Sequence, residues 1–133
     1  MKGTVKMTLA ALLLCGSLQN YCYAHGFNKS QLISECQTIS THLHQLAKEN
    51  PNNYCIGDIE GVANSLARVG EQLGLDEPET ILAAIKYAEL ELKQIKSNRS
   101  YCAQFTSMIN PIIHEVKNTG DQMEVFMNSY LTT

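Results

Sequence analysis

Residues 76–99, DEPETILAAIKYAELELKQIKSNR, carry the clearest helix signal in the chain. Asp76 and Glu79 form a capping-box-like pair, Pro78 falls in the first turn, and acids gather where the helix dipole favours them. Ile81, Ile85, Ala88, Leu92 and Ile95 recur at steps of four and three, one apolar stripe on one face. Lys93, Lys96 and Arg99 collect near the end, and Ser97-Asn98 breaks the helix. A helix with one stripe must bury it against something, so the flanking sequence decides the fold.

The same pattern repeats on both sides. Upstream, a helix from about Gly57 to Leu73 aligns Ile59, Val62, Leu66, Val69 and Leu73, with Gly74 as terminator. Gly61 and Gly70 inside it each cost roughly 1 kcal/mol relative to alanine; they read as close-approach points or as tolerated losses. Before it, a helix from about Asn28 to Glu49, capped by Asn28 or Ser30, aligns Leu32, Cys36, Ile39, Leu43 and Leu46. Asn50-Pro51-Asn52-Asn53 ends that helix through turn chemistry.

Downstream, a fourth helix begins near Ser100. Cys102, Phe105, Ile109, Ile112, Val116, Met123, Phe126 and Tyr130 fit one three-four pattern, with Thr119 filling the gap. Pro111 should kink this helix and Gly120 can break it, so one long bent helix and two shorter ones both fit. No segment alternates with period two. Four amphipathic segments with short connections predict an all-α, up-down-up-down four-helix bundle, its helices crossing at about 20°.

The first 24 residues, MKGTVKMTLAALLLCGSLQNYCYA, stand apart. Lys2 and Lys6 precede a short apolar run, and Cys22 and Ala24 fall where signal cleavage wants small residues. The run is shorter than the roughly 20 apolar residues a membrane span requires. The small residues that normally precede a lipidated cysteine are missing before Cys15. The expectation is a cleaved secretory signal over 1–24 and one helical domain over 25–133, exported and not transmembrane. The whole chain has 10 basic and 13 acidic side chains. Cleavage removes two lysines and no acid, which makes the remainder more acidic and argues against nucleic acid as a partner.

Two of the five cysteines leave with that segment, so Cys36, Cys55 and Cys102 remain. In the bundle, Cys55 follows the first loop, and Cys102 opens the fourth helix at the same end. Cys36 lies 13 positions below the top of the first helix, roughly 20 Å away at 1.5 Å per residue. A disulfide needs Cα atoms within about 7 Å. The geometry predicts Cys55–Cys102, with Cys36 a buried free thiol.

Signs of catalysis are absent from the sequence. There is no CxxCH, HExxH, GxSxG, phosphate-binding glycine loop or pair of ExxH motifs. His42 and His44 point about 200° apart on their helix. His25 would head the mature chain, where its amine and imidazole can together hold copper, but no further histidine on a rigid scaffold completes such a site. The expectation is no enzyme, no metal and no cofactor.

Lys86, Lys93 and Lys96 share one side of the third helix, with Arg99 just beyond. Together they are a candidate site for an anionic headgroup or phosphate. The competing reading is that cations near a helix C-terminus complement its dipole. Glu89 and Glu91 nearby weaken the cluster. Tyr54, Tyr87 and Tyr101 are a second feature: Tyr54 and Tyr101 adjoin the expected disulfide, either as a recognition surface or packed over the bridge.

The ending Tyr21-Cys22-Tyr23-Ala24, the Asn/Gln/Ile-rich helices and the sparse paired cysteines resemble the small exported helical proteins of Legionella, in particular the novel type II-translocated proteins. That resemblance implies a virulence effector delivered by type II secretion that contacts host membranes or phosphoinositides. It maps no site residue onto this chain. The resulting expectation is a secreted, monomeric, non-enzymatic binding module for a host protein or an anionic membrane lipid. A resident periplasmic chaperone or stress protein, and a secreted enzyme inhibitor, are the alternatives.

Overall fold

A computed structural model describes residues 29–72 and 77–131 of the chain. Four helices run in order: α1 Lys29–Glu49, α2 Ile56–Gln72, α3 Pro78–Asn98 and α4 Thr106–Leu131, with a 3₁₀ turn at Ser100–Phe105 before the last. No strand occurs among the described residues. The expected signal segment 1–24, its cleavage point, Leu73, Gly74 and Asp76 lie outside them.

Each stripe becomes one wall of a shared core. Leu32, Cys36, Ile39 and Leu43 of α1 meet Ile59, Val62, Leu66 and Val69 of α2, the five predicted residues of α3, and Phe105, Ile109, Val116 and Met123. At the end of α1, Ala47 takes the buried place and Leu46 is only partly covered. Phe126 likewise packs against the core from its edge.

Cross-helix contacts fix the directions. The buried Ser40 hydroxyl donates to the Ala63 carbonyl at 2.8 Å, while Gly70 faces Ile33 and Gln37, so α1 and α2 are antiparallel. Lys86 pairs with Glu124 and Lys96 with Asn110, so α3 and α4 are antiparallel too. The fourth helix closes back onto α1, completing the up-down-up-down bundle.

Two local details refine the expected starts of α3 and α4. The expected capping pair of Asp76 with Glu79 lies partly outside the described residues. Glu77 is the N-cap of α3 with no side-chain bond to the backbone, and Pro78 opens the helix. The Glu77 carboxylate instead accepts a hydrogen bond from the Thr80 hydroxyl at 3.0 Å. Residues 100–105 form a 3₁₀ turn rather than the start of an α-helix. In that geometry i and i+3 eclipse, which turns Cys102 and Phe105 inward together, both fully buried.

The choice between one long helix and two is resolved as one. α4 runs unbroken through Pro111 and Gly120. Proline deprives the Ser107 carbonyl of its donor, and both residues lie on the exposed face of the helix. Gly120 is buried where α4 approaches α3 closely: a Cβ there would stand 3.3 Å from the Ile85 Cγ2 methyl. The glycine thus serves packing rather than termination.

Gly61 and Gly120 should therefore respond oppositely to substitution. A Cβ at the exposed Gly61 would meet nothing within 4 Å, so Gly61→Ala stabilises by about 0.5–1 kcal/mol through helix propensity. Gly120→Leu overpacks the α3–α4 contact and destabilises by about 1–3 kcal/mol. Urea unfolding followed by circular dichroism measures both, and shifts of the same sign would refute this account of the two glycines.

Candidate functional site

The end of the bundle that carries the disulfide is built from three chain segments. Its first is the loop between α1 and α2, which is tied by several local hydrogen bonds. The Asn50 N–H donates to the Ala47 carbonyl at 3.1 Å, that of Asn53 to Asn50 at 3.2 Å, and that of Ile56 to Asn53 at 3.1 Å. Asn50 Nδ2 reaches back to the Leu46 carbonyl at 2.9 Å. Asn53 Oδ1 accepts from the Cys55 N–H at 2.8 Å, the local side-chain bond that makes asparagine a turn residue.

Cys55 joins Cys102 across 47 positions, with Cα atoms 5.2 Å apart and both residues fully buried. The predicted pairing is the observed one. Cys102 is placed by the 3₁₀ turn, its N–H donating to the Arg99 carbonyl at 2.9 Å. Cys36 is a buried free thiol, and burial, with Glu35 adding, pushes its pKa up to about 12.

Over the disulfide lies a clamp centred on Asp58, in the first turn of α2. Arg99 Nη1 stands 3.0 Å from Asp58 Oδ1, and its Nη2 stands 3.2 Å from Glu91 Oε2 on α3. The Tyr101 hydroxyl donates to Asp58 Oδ2 at 2.8 Å. One carboxylate therefore binds two of the three residues that precede Cys102. Donation to Asp58 is the main reason the Tyr101 phenol is raised above its ordinary value, with desolvation adding. Tyr54, next to Cys55, makes no such bond and is 91% exposed.

The four cations of the predicted headgroup site do not converge. Lys86, Lys93 and Lys96 do share the side of α3 that faces α4, but they span roughly 15 Å of helix at 1.5 Å per residue. Lys86 pairs with Glu124 at 2.7 Å, Lys93 with Glu89, and Lys96 donates to Asn110 Oδ1 at 2.7 Å. Arg99 turns to the α2 side and is held by two carboxylates. Three of the four charges are thus neutralised by acids of the same chain.

A second concave feature lies between α1 and α4, a groove of about 270 Å³ lined by Glu35, Thr38, His42, Glu115 and Thr119 among others. The buried Thr119 hydroxyl sits within 3.2 Å of Glu35 Oε2 and 3.0 Å of the Glu115 carbonyl. Among the described residues no set of three or more His, Cys, Asp or Glu side chains could hold a metal ion. No described helix is long and apolar enough to cross a membrane. Comparison with protein-family models, curated proteins and solved structures gave no match.

The Asp58 clamp escaped the sequence reading, although a signal for it existed. Asp58 stands three residues after Cys55 and Arg99 three before Cys102. Once the disulfide is placed, opposite charges at those offsets come to the same end of the bundle.

Two measurements check this electrostatic picture. With its pKa near 12, Cys36 should resist iodoacetamide at pH 8 in the native protein and react once urea exposes it. Rapid native alkylation would mean the thiol is accessible. For Tyr101, the raised pKa means the bond to Asp58 stabilises the fold below the ordinary phenol value of about 10 and is lost as pH rises through the folded value. Absorbance titration at alkaline pH should show a tyrosine ionising above pH ~10 that Tyr101→Phe removes.

Proposed function

We propose that the chain is an exported, non-enzymatic binding module, a secreted effector in type, that engages a partner protein through its disulfide end. The observation that carries this reading is Tyr54. It is 91% exposed on a loop whose backbone is tied by its own hydrogen bonds and whose last residue is held by the disulfide. A large amphipathic ring held out on a rigid support loses little conformational freedom when it docks, and tyrosine is enriched among the residues that dominate protein interfaces. Tyr101, half-exposed on the other side of the bridge, extends the same surface.

A partner protein fits this surface better than an anionic headgroup does. A headgroup site needs cations free to turn toward phosphate. Lys86, Lys93 and Arg99 are each already paired with a carboxylate. Export through the secretory signal and onward by type II secretion, with a host protein as the target, follows from the resemblance of the chain to small Legionella exoproteins. Retention as a periplasmic chaperone or release as an enzyme inhibitor would use the same surface on a different client.

The test joins two assays of the purified chain. Affinity capture with chemical cross-linking from host-cell lysate, followed by titration of the captured protein, should show Tyr54→Ala weakening binding tenfold or more, while Glu79→Ala at the far end of α3 leaves it unchanged. Liposomes of phosphatidylcholine alone, or with phosphatidylserine or phosphoinositides, should not co-sediment the protein. Headgroup-selective, salt-sensitive liposome binding would replace the protein reading with the lipid one, and binding indifferent to Tyr54 would remove the disulfide end from it.

A further inference from the structure

We propose that oxidation of Cys55 and Cys102 assembles the recognition surface, so that the chain presents it only after reaching an oxidising compartment. The proposal rests on reading the disulfide end as that surface, and it adds how the surface is regulated.

Tyr54 and Tyr101 each immediately precede one of the bonded cysteines. Their relative placement therefore depends on whatever holds the loop before α2 against the 3₁₀ turn before α4. Two devices do so: the disulfide, and the clamp of Asp58 with Arg99 and Tyr101. The clamp is partly accessible to water, although Arg99 Nη1 itself is buried. The Arg99 and Asp58 side chains keep 24% and 29% of their exposure, and the Tyr101–Asp58 bond is exposed. Water and salt screen such pairs, so they hold a short segment weakly on their own. The covalent bond is what makes the placement permanent.

The rest of the bundle does not need it. The Leu32–Leu43, Ile59–Val69, Ile81–Ile95 and Ile109–Met123 stripes are buried along the length of the molecule. The helices therefore keep their core in the reduced chain, and loss of the bond loosens the end alone. The reduced chain is thus folded but carries its two tyrosines on segments free to separate.

The chemistry is thiol–disulfide exchange with an external disulfide oxidant. The thiolate of one cysteine attacks the oxidant's S–S bond, forming a mixed disulfide and releasing one thiol. The thiolate of the other then attacks the chain's sulfur and releases the second thiol, so two electrons and two protons leave the pair. Cys36 stays out of the exchange because it is fully buried in the middle of the bundle and its thiol stays protonated at neutral pH.

Amide hydrogen exchange by mass spectrometry on the full chain tests this without any partner. It compares the oxidised protein, the protein in dithiothreitol, and the Cys55→Ser/Cys102→Ser double variant. The expected result is retained protection in α1, α2, α3 and α4, with residues 50–56 and 99–105 exchanging at least tenfold faster in both the double variant and the reduced protein. Oxidised glutathione should restore protection to the reduced protein and not to the double variant. Unaltered exchange at the two segments would overturn the proposal by showing that the clamp suffices. Global loss of protection would overturn it as well, since the bond would then hold the whole fold. Neither result bears on the effect of Tyr54→Ala in the capture assay, so failure of the gate and failure of the binding reading remain distinguishable.

Discussion

Cys55 and Cys102 come within 5.2 Å of each other because each helix has a single apolar stripe and nowhere else to bury it. With connections this short, four such stripes close a core with neighbouring helices antiparallel, which returns the start of the fourth segment to the end where the second began. The disulfide records that constraint and tightens it. In the chain-entropy picture a bond closing a loop of this length adds about 4 kcal/mol, on top of the stability that the buried stripes supply. Asn53 and the 3₁₀ turn then orient the two cysteines, and the tyrosines beside them inherit their positions.

The helices were legible because steps of three and four survive any detail of packing. For α3 the five residues of the stripe are the five that are buried. The cysteine pairing was legible for a related reason, since it depends only on helix length and direction. Elsewhere the sequence was ambiguous because the deciding partner lies on another helix. Gly120 looks like a helix breaker in isolation and becomes a packing residue only when Ile85 is placed against it. Pro111 looks like a break in isolation, yet α4 continues through it, and the carbonyl it leaves without a donor belongs to the exposed Ser107. Thr119 left a gap in the stripe that the structure fills with hydrogen bonds to Glu35 and to its own helix.

Charge was the least legible property, for a physical reason. Helical spacing places Lys86, Lys93 and Lys96 on one side of α3 but says nothing about what faces them. Glu124 and Asn110 come from α4, and Asp58, which holds Arg99, comes from α2. A row of cations that reads as a binding site along one helix becomes, across three, a set of mostly neutral pairs. Glu89 was visible as an i,i+4 partner of Lys93 and pointed the same way.

Such neutrality is itself consistent with recognition by shape. Pairs between half-exposed side chains contribute little stability, often below about 1 kcal/mol, yet they remove the free charge that would draw the protein to any anionic surface. What remains distinctive at the disulfide end, beside the paired Asp58, Arg99 and Glu91, is an exposed tyrosine on a hydrogen-bonded loop and a second one anchored by its hydroxyl. A surface of that kind discriminates by fit and by a few directed hydrogen bonds, and both demand a rigid support. The buried bridge supplies that rigidity where the bundle is least able to, at a loop beyond the reach of the helical stripes.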